Sequence, residues 1–112
     1  MKIIYAPEAQ DGPNPHGVSA KLLHATEHVQ VTMVTLQPGE ALRPHLTPVD
    51  AFFYVLEGNG IVEIGEEREE VSKDMLIDSP KRGVHRLMNE SDGVFRFLVV
   101  KTPAQKEKTK LL

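Results

Sequence analysis

The chain has no cysteine, which removes disulfide frameworks, thiolate nucleophiles and thiolate metal sites together. It has no apolar run near the roughly 20 residues that a membrane-spanning helix needs. Basic residues are not in excess: 13 Lys and Arg stand against 16 Asp and Glu, a formal charge of −3. That balance argues against nucleic acid as a main partner, because phosphate binding shows itself as a basic face or stripe. The first residues, Met1-Lys2-Ile3-Ile4-Tyr5 and then Ala6-Pro7-Glu8, lack the long apolar stretch and cleavage site of a signal peptide. Cytoplasmic residence is therefore expected. From residue 28 onward no stretch carries a sustained helical period.

What is present is the composition of one ordinary folded domain. The 112 residues are 40% hydrophobic and 26% charged, and a chain of this length can bury a core of its own. Pro7, Gly12, Pro13, Pro15 and Gly17 mark an irregular arm over residues 1–27, with room for one or two short strands. Beyond it, short β-rich runs alternate with turn residues. Val29 to Leu36 ends at Pro38-Gly39, a pair suited to the centre of a type II turn. Ala51 to Glu57 and Ile61 to Ile64 flank Gly58-Asn59-Gly60, which reads as a hairpin turn. Gly65-Glu66-Glu67 closes another, with Arg68 to Val71 returning. Met75 to Ile77, Val84 to Met88 and Val94 to Val100 follow. A lysine-rich tail over 102–112 is expected to fray or to be weakly helical. About eight strands in residues 28–101 point to a closed or two-sheet antiparallel barrel, just wide enough to hold one small ligand at its mouth.

Two stretches then resemble the motifs of the cupin superfamily. Gly39 is followed, after five residues, by His45, and Phe52-Phe53-Tyr54-Val55-Leu56-Glu57-Gly58 is similar to the strand and turn that close the first motif. Pro80, His85 and Asn89 fit the second. The resemblance covers about residues 28 to 101. It implies an all-β fold, the cupin double-stranded β-helix or jelly-roll barrel, with about eight to ten antiparallel strands. Strand alternation puts Phe52, Tyr54 and Leu56 on the face away from the pocket, to be covered by a second subunit in a homodimer or by the arm before residue 28, and the resemblance agrees with a homodimer.

Family members hold a divalent metal with two His and a Glu from the first motif and a His from the second. His45 and His85 keep two of these positions. Thr47 stands at the second His and Ala51 at the Glu, so half the ligand set is missing. Two histidines alone hold Fe, Mn, Ni or Zn weakly or not at all, since catalytic sites of this kind use three protein ligands. Asp50 is the candidate replacement, because two His and one carboxylate make an iron-binding triad. Strand parity points Asp50 away from the pocket unless a bulge turns it in. Thr47, Ala51, Phe53, Val55 and Met33 are the expected pocket lining. His16, His24 and His28 read as solvated. No catalytic residue is assigned. Two functions stay open: a small-molecule-binding cupin with a degenerate two-histidine site, or a metal-dependent cupin enzyme of dioxygenase, isomerase or decarboxylase type using His45, His85 and Asp50.

Overall fold

A computed structural model describes residues 1–80, 83–103 and 110–111. The arm begins with one 3-10 turn at Ala6–Glu8. Ten strands follow among the described residues: β1 (Ser19–Ala25), β2 (Gln30–Leu36), β3 (His45–Leu46), β4 (Asp50–Glu57), β5 (Asn59–Ile64), β6 (Glu67–Ser72), β7 (Leu76–Ser79), β8 (Val84–Met88), β9 (Phe95–Thr102) and β10 (Lys110–Leu111). They form two five-stranded sheets in the orders β1-β2-β9-β4-β7 and β10-β3-β8-β5-β6, and every pairing is antiparallel. The fold is the cupin double-stranded β-helix. Among the described residues no helix is long and apolar enough to cross a membrane.

Period-two alternation decides which residues enter the barrel. Along β4, Ala51, Phe53 and Val55 are buried while their neighbours are not, as a strand with one face on the core requires. The core lies between the sheets and includes Leu36, Val55, Val62, Leu87, Phe95 and Phe97. Phe95 and Phe97 pack with ring centroids 5.0 Å apart, and Phe97 meets Phe53 edge-on at 6.1 Å, the tilted geometries that aromatic pairs prefer.

The Pro38-Gly39 turn forms as its residues dictate: Glu40 N–H donates to Gln37 O at 2.9 Å, and Gly39 takes φ +86°. Gly58 behaves differently from the expectation. It is no hairpin turn, because β4 and β5 lie in different sheets. The chain turns a corner there, next to a register shift between Val55 and Glu57. Gly58 takes φ +82°, and a Cβ on it would stand 2.0 Å from Val94 O. At Thr102 and at Lys110–Leu111 the tail is strand rather than frayed or helical. Lys101 and Thr102 extend β9, and Lys110–Leu111 pairs with β3; residues 104–109 and 112 lie outside the described residues.

Along β9 the inward positions run Phe95, Phe97, Val99, Lys101. Their partners on β2 run Leu36, Val34, Thr32, Gln30. The barrel is thus apolar and filled at one end and increasingly polar at the other. Gly60 secures the filled end, since a Cβ there would meet the Phe95 ring at 2.1 Å. Replacing Gly60 with Val is expected to destabilise the protein by about 1–3 kcal/mol through overpacking, read as a lower urea midpoint. An unchanged midpoint would show that the ring has room to move.

Candidate functional site

The polar end is organised by one cross-strand pair. His45 on β3 stands directly opposite His85 on β8 in the antiparallel register, where side chains on one face are close neighbours. Their rings meet edge-to-face with centroids 4.1 Å apart. Both rings are buried. Phe53 reaches in from the other sheet and meets His85 edge-on at 5.3 Å.

A third histidine arrives from the arm. Asn14 folds the arm by accepting the backbone N–H groups of His16 at 3.0 Å and Val18 at 3.4 Å, and by donating to Val18 O at 2.7 Å. Its side chain thereby replaces backbone partners in a tight loop. The loop brings the His16 ring within 4.8 Å of His45. These two rings share one residue's backbone: Arg43 N–H donates to His16 Nδ1 at 2.9 Å, and Arg43 O accepts from His45 Nδ1 at 2.8 Å. An amide can only donate and a carbonyl can only accept, so both tautomers are fixed. His45 carries its proton on Nδ1 and keeps a lone pair on Nε2. Neutral His16 carries its proton on Nε2.

No buried side-chain nitrogen or oxygen among the described residues lacks a hydrogen-bond partner. The Nε2 atoms of His45 and His16 have no such partner among the described residues and therefore reach open space. That space is a cavity of ≈ 360 Å³ lined by all three histidines, Phe53, Val99 and Lys101, within the usual size range of ligand pockets. His85 is satisfied on both sides, by the Ser79 hydroxyl at Nδ1 (3.0 Å) and the Thr47 hydroxyl at Nε2 (3.3 Å).

Burial holds the rings neutral. It pushes His85 down to about 3, helped by the charge of His45, Lys101 and His16. His16 falls to about 4, from burial first and then from His45, Arg43 and Lys101. His45 is also lowered by burial, although its bond to Arg43 O opposes the shift. Burial lowers Lys101 as well.

The Cupin domain family matches this chain over residues 32–101. The chain belongs to the cupin family. Among curated proteins no sequence match is found. Of solved structures, TT1209 from Thermus thermophilus is 28% identical, with 92% of this chain and 98% of that one covered and a TM-score of 0.79. The polyketide cyclase RemF from Streptomyces resistomycificus is 20% identical over 100% of this chain and 85% of its own, TM-score 0.86. KdgF from Halomonas sp. is 18% identical, covering 95% and 96%, TM-score 0.83. The last two likenesses concern the fold alone.

The residues present do not make a cupin metal site. Among the described residues no group of three or more His, Cys, Asp or Glu is arranged to hold an ion. Thr47, at the second His position of the motif, hydrogen-bonds the very nitrogen through which His85 would ligate. His16 offers Nε2–H rather than a lone pair. Asp50 does not join the histidines: parity along β4 leaves it exposed, beside a separate crevice with Asp78 and Thr102. Among the described residues only His45 Nε2 presents an imidazole lone pair to the cavity.

The expected lining is redistributed by the same alternation. Phe53 faces the cavity, and Thr47 sits just behind it on His85. Val55 lies deeper, in the apolar core, and Ala51 lines the crevice near Ser79. Met33 is buried but on the opposite face of β2, because Thr32 and Val34 point inward. Three contributors go beyond the expectation. His16 is half-buried in the site rather than solvated, and Asn14-Pro15-His16-Gly17 is the readable sign of a rigid loop. Lys101 continues the inward series from Phe95, and Ser79 reaches His85 from β7. His28 is exposed beside Glu27 at 3.1 Å, as expected.

Acid should unfold this protein through the cavity histidines. Both His85 and His16 bind protons more weakly when folded than at their ordinary value of 6.5, so the unfolded chain takes up protons first. Stability is therefore complete above about pH 6.5 and declines toward pH 3–4, with a slope of about 1.4 kcal/mol per pH unit for each proton taken up. Urea midpoints measured from pH 7 to pH 4 should fall accordingly, and less steeply in His85→Asn. Parallel curves for the two proteins would contradict the assignment to His85.

Proposed function

We propose that this cupin binds a small polar molecule in the barrel cavity through its histidines, without a metal as part of the site. The observation that carries this reading is the donor set. His85 has both ring nitrogens engaged by hydroxyls, and one imidazole lone pair, on His45, remains for a ligand. A ligand O–H or N–H would donate to His45 Nε2, and His16 Nε2–H would donate to a ligand oxygen. The second function open from the sequence, a metal-dependent enzyme using His45, His85 and Asp50, would need Thr47 to release His85 and the start of β4 to turn Asp50 inward.

We further propose a homodimer through the outer face of the first sheet. Val31, Val100 and Phe52 lie in one register row there, and Met33, Leu98 and Tyr54 in the next. Apart from Met33 these are only half-covered, and Ile3, Ile4 and Tyr5 of the arm stand exposed at 85%, 43% and 67%. Contiguous apolar surface of this kind marks an interface. A second copy fits it because a twofold interface pairs one patch with itself.

Each proposal has its own check. Dialysis against a chelator should leave the melting temperature unchanged. Installing the missing ligands, Thr47→His with Ala51→Glu, should create a melting temperature that rises with added Mn²⁺ or Ni²⁺, by about 2.7 kcal/mol of stability at a hundredfold excess over Kd. Stoichiometric tightly bound metal in the unaltered protein, found by elemental analysis, would refute the metal-free reading. For the dimer, light scattering at micromolar concentration should give twice the chain mass, and Leu98→Glu should halve it. A monomeric unaltered protein would end that proposal.

A further inference from the structure

The ionisable side chains that line the cavity are all basic. Its lining includes Lys101 and three histidines but no Asp or Glu among the described residues, although acidic residues outnumber basic ones in the chain by 16 to 13. Lys101 reaches this position by strand parity, two residues beyond Val99 on the inward face of β9 and opposite Gln30 of β2. Its charge is felt at all three rings. Lys101 engages other groups of the chain as well; the inference asks only that its ammonium also face the cavity it lines.

Among the ammonium and ring groups offered there, donors outnumber acceptors. Lys101 supplies an ammonium and His16 an N–H, while Asn14 is spent within its own loop. A single ring acceptor, His45 Nε2, stands among them. Gln30 and Thr32 add an amide and a hydroxyl, each able to donate or accept, and Leu22, Val34, Leu42 and Val99 supply apolar wall. We infer that the cavity takes a small carboxylate, its anionic head between Lys101 and His16 and a hydroxyl or amine of the same molecule donating to His45. A phosphate fits less well. It carries up to two charges and three strong acceptor oxygens, for which the described lining has one lysine and no bidentate guanidinium. The inference rests on the metal-free binding reading and adds the chemical class of the ligand.

Histidine-ring NMR signals followed during titration would test it, using acetate, butyrate, 3-hydroxybutyrate and succinate as probes. The neutral 3-hydroxybutyramide and inorganic phosphate serve as comparisons. At least one carboxylate should shift the His45 and His85 signals saturably, and 3-hydroxybutyramide should bind at least tenfold more weakly than 3-hydroxybutyrate. Lys101→Met should bring carboxylate binding down to the level of the amide with the urea midpoint maintained, and Lys101→Arg should retain it. Equal binding of acid and amide, or full binding by Lys101→Met, would overturn the carboxylate inference and leave the metal-free pocket standing. Phosphate binding more tightly than every carboxylate would also overturn it. No ring shift with any probe would remove both readings.

Discussion

The register between β3 and β8 is the constraint on which the site depends. His45 and His85 are direct cross-strand partners, and a slip by one residue would send one ring to the outer surface. β3 contributes only two residues to the sheet, so its pairing alone is a weak clamp. Side-chain contacts complete it: His45 is tied back to Arg43, and His85 is held between Ser79 and Thr47. The Arg43 backbone then carries the constraint outward to the arm, through the bond from its N–H to His16. One strand register, two backbone bonds and two hydroxyls thus fix three rings and the tautomers of two.

Thr47 shows how a family site changes its chemistry within an unchanged fold. At the place of a second metal-ligating imidazole, a hydroxyl reaches 3.3 Å to His85 Nε2, from a residue only 2% exposed. A hydroxyl can donate or accept, so it satisfies a neutral imidazole in either tautomer. Without that partner the nitrogen would be a buried polar atom unpaired, a penalty of about 1–3 kcal/mol. The substitution therefore removes a ligand position and stabilises the histidine that remains.

Much of this is legible in the sequence, and the failures share a cause. The strands and the inward set on β4 follow from alternation and turn residues, which are local signals. The exposed acidic strand β6 is also readable, since Glu67, Glu69 and Glu70 suit a sheet edge protected against strand addition. Gly58 misleads because a hairpin and a sheet-to-sheet corner use the same residues, and the difference lies in its contact with the distant Val94. Hydrophobicity alone puts Met33 in the pocket, where only the register with β9 can tell its face. His16 lies outside the motif-bearing segment, and its place depends on the Asn14 loop closing over the barrel mouth. Lys101 is readable by counting in twos from Phe95, but a domain boundary at residue 101 sets it at the edge of the tail.

Net charge and local charge have opposite signs here, and distance decides which one a bound molecule feels. The chain carries −3 overall, with Glu67, Glu69 and Glu70 set out on the exposed edge strand of the second sheet. At physiological ionic strength, fields from such solvated groups are screened over about 8 Å. Inside the cavity screening is weak, and the same separation from Lys101 corresponds to a much larger energy than in water. The three rings already register that field, each held neutral partly by Lys101. A cavity that keeps its histidines uncharged avoids gathering four positive charges in one place. Among the described residues its lining still holds one lysine, one ring donor and one ring acceptor.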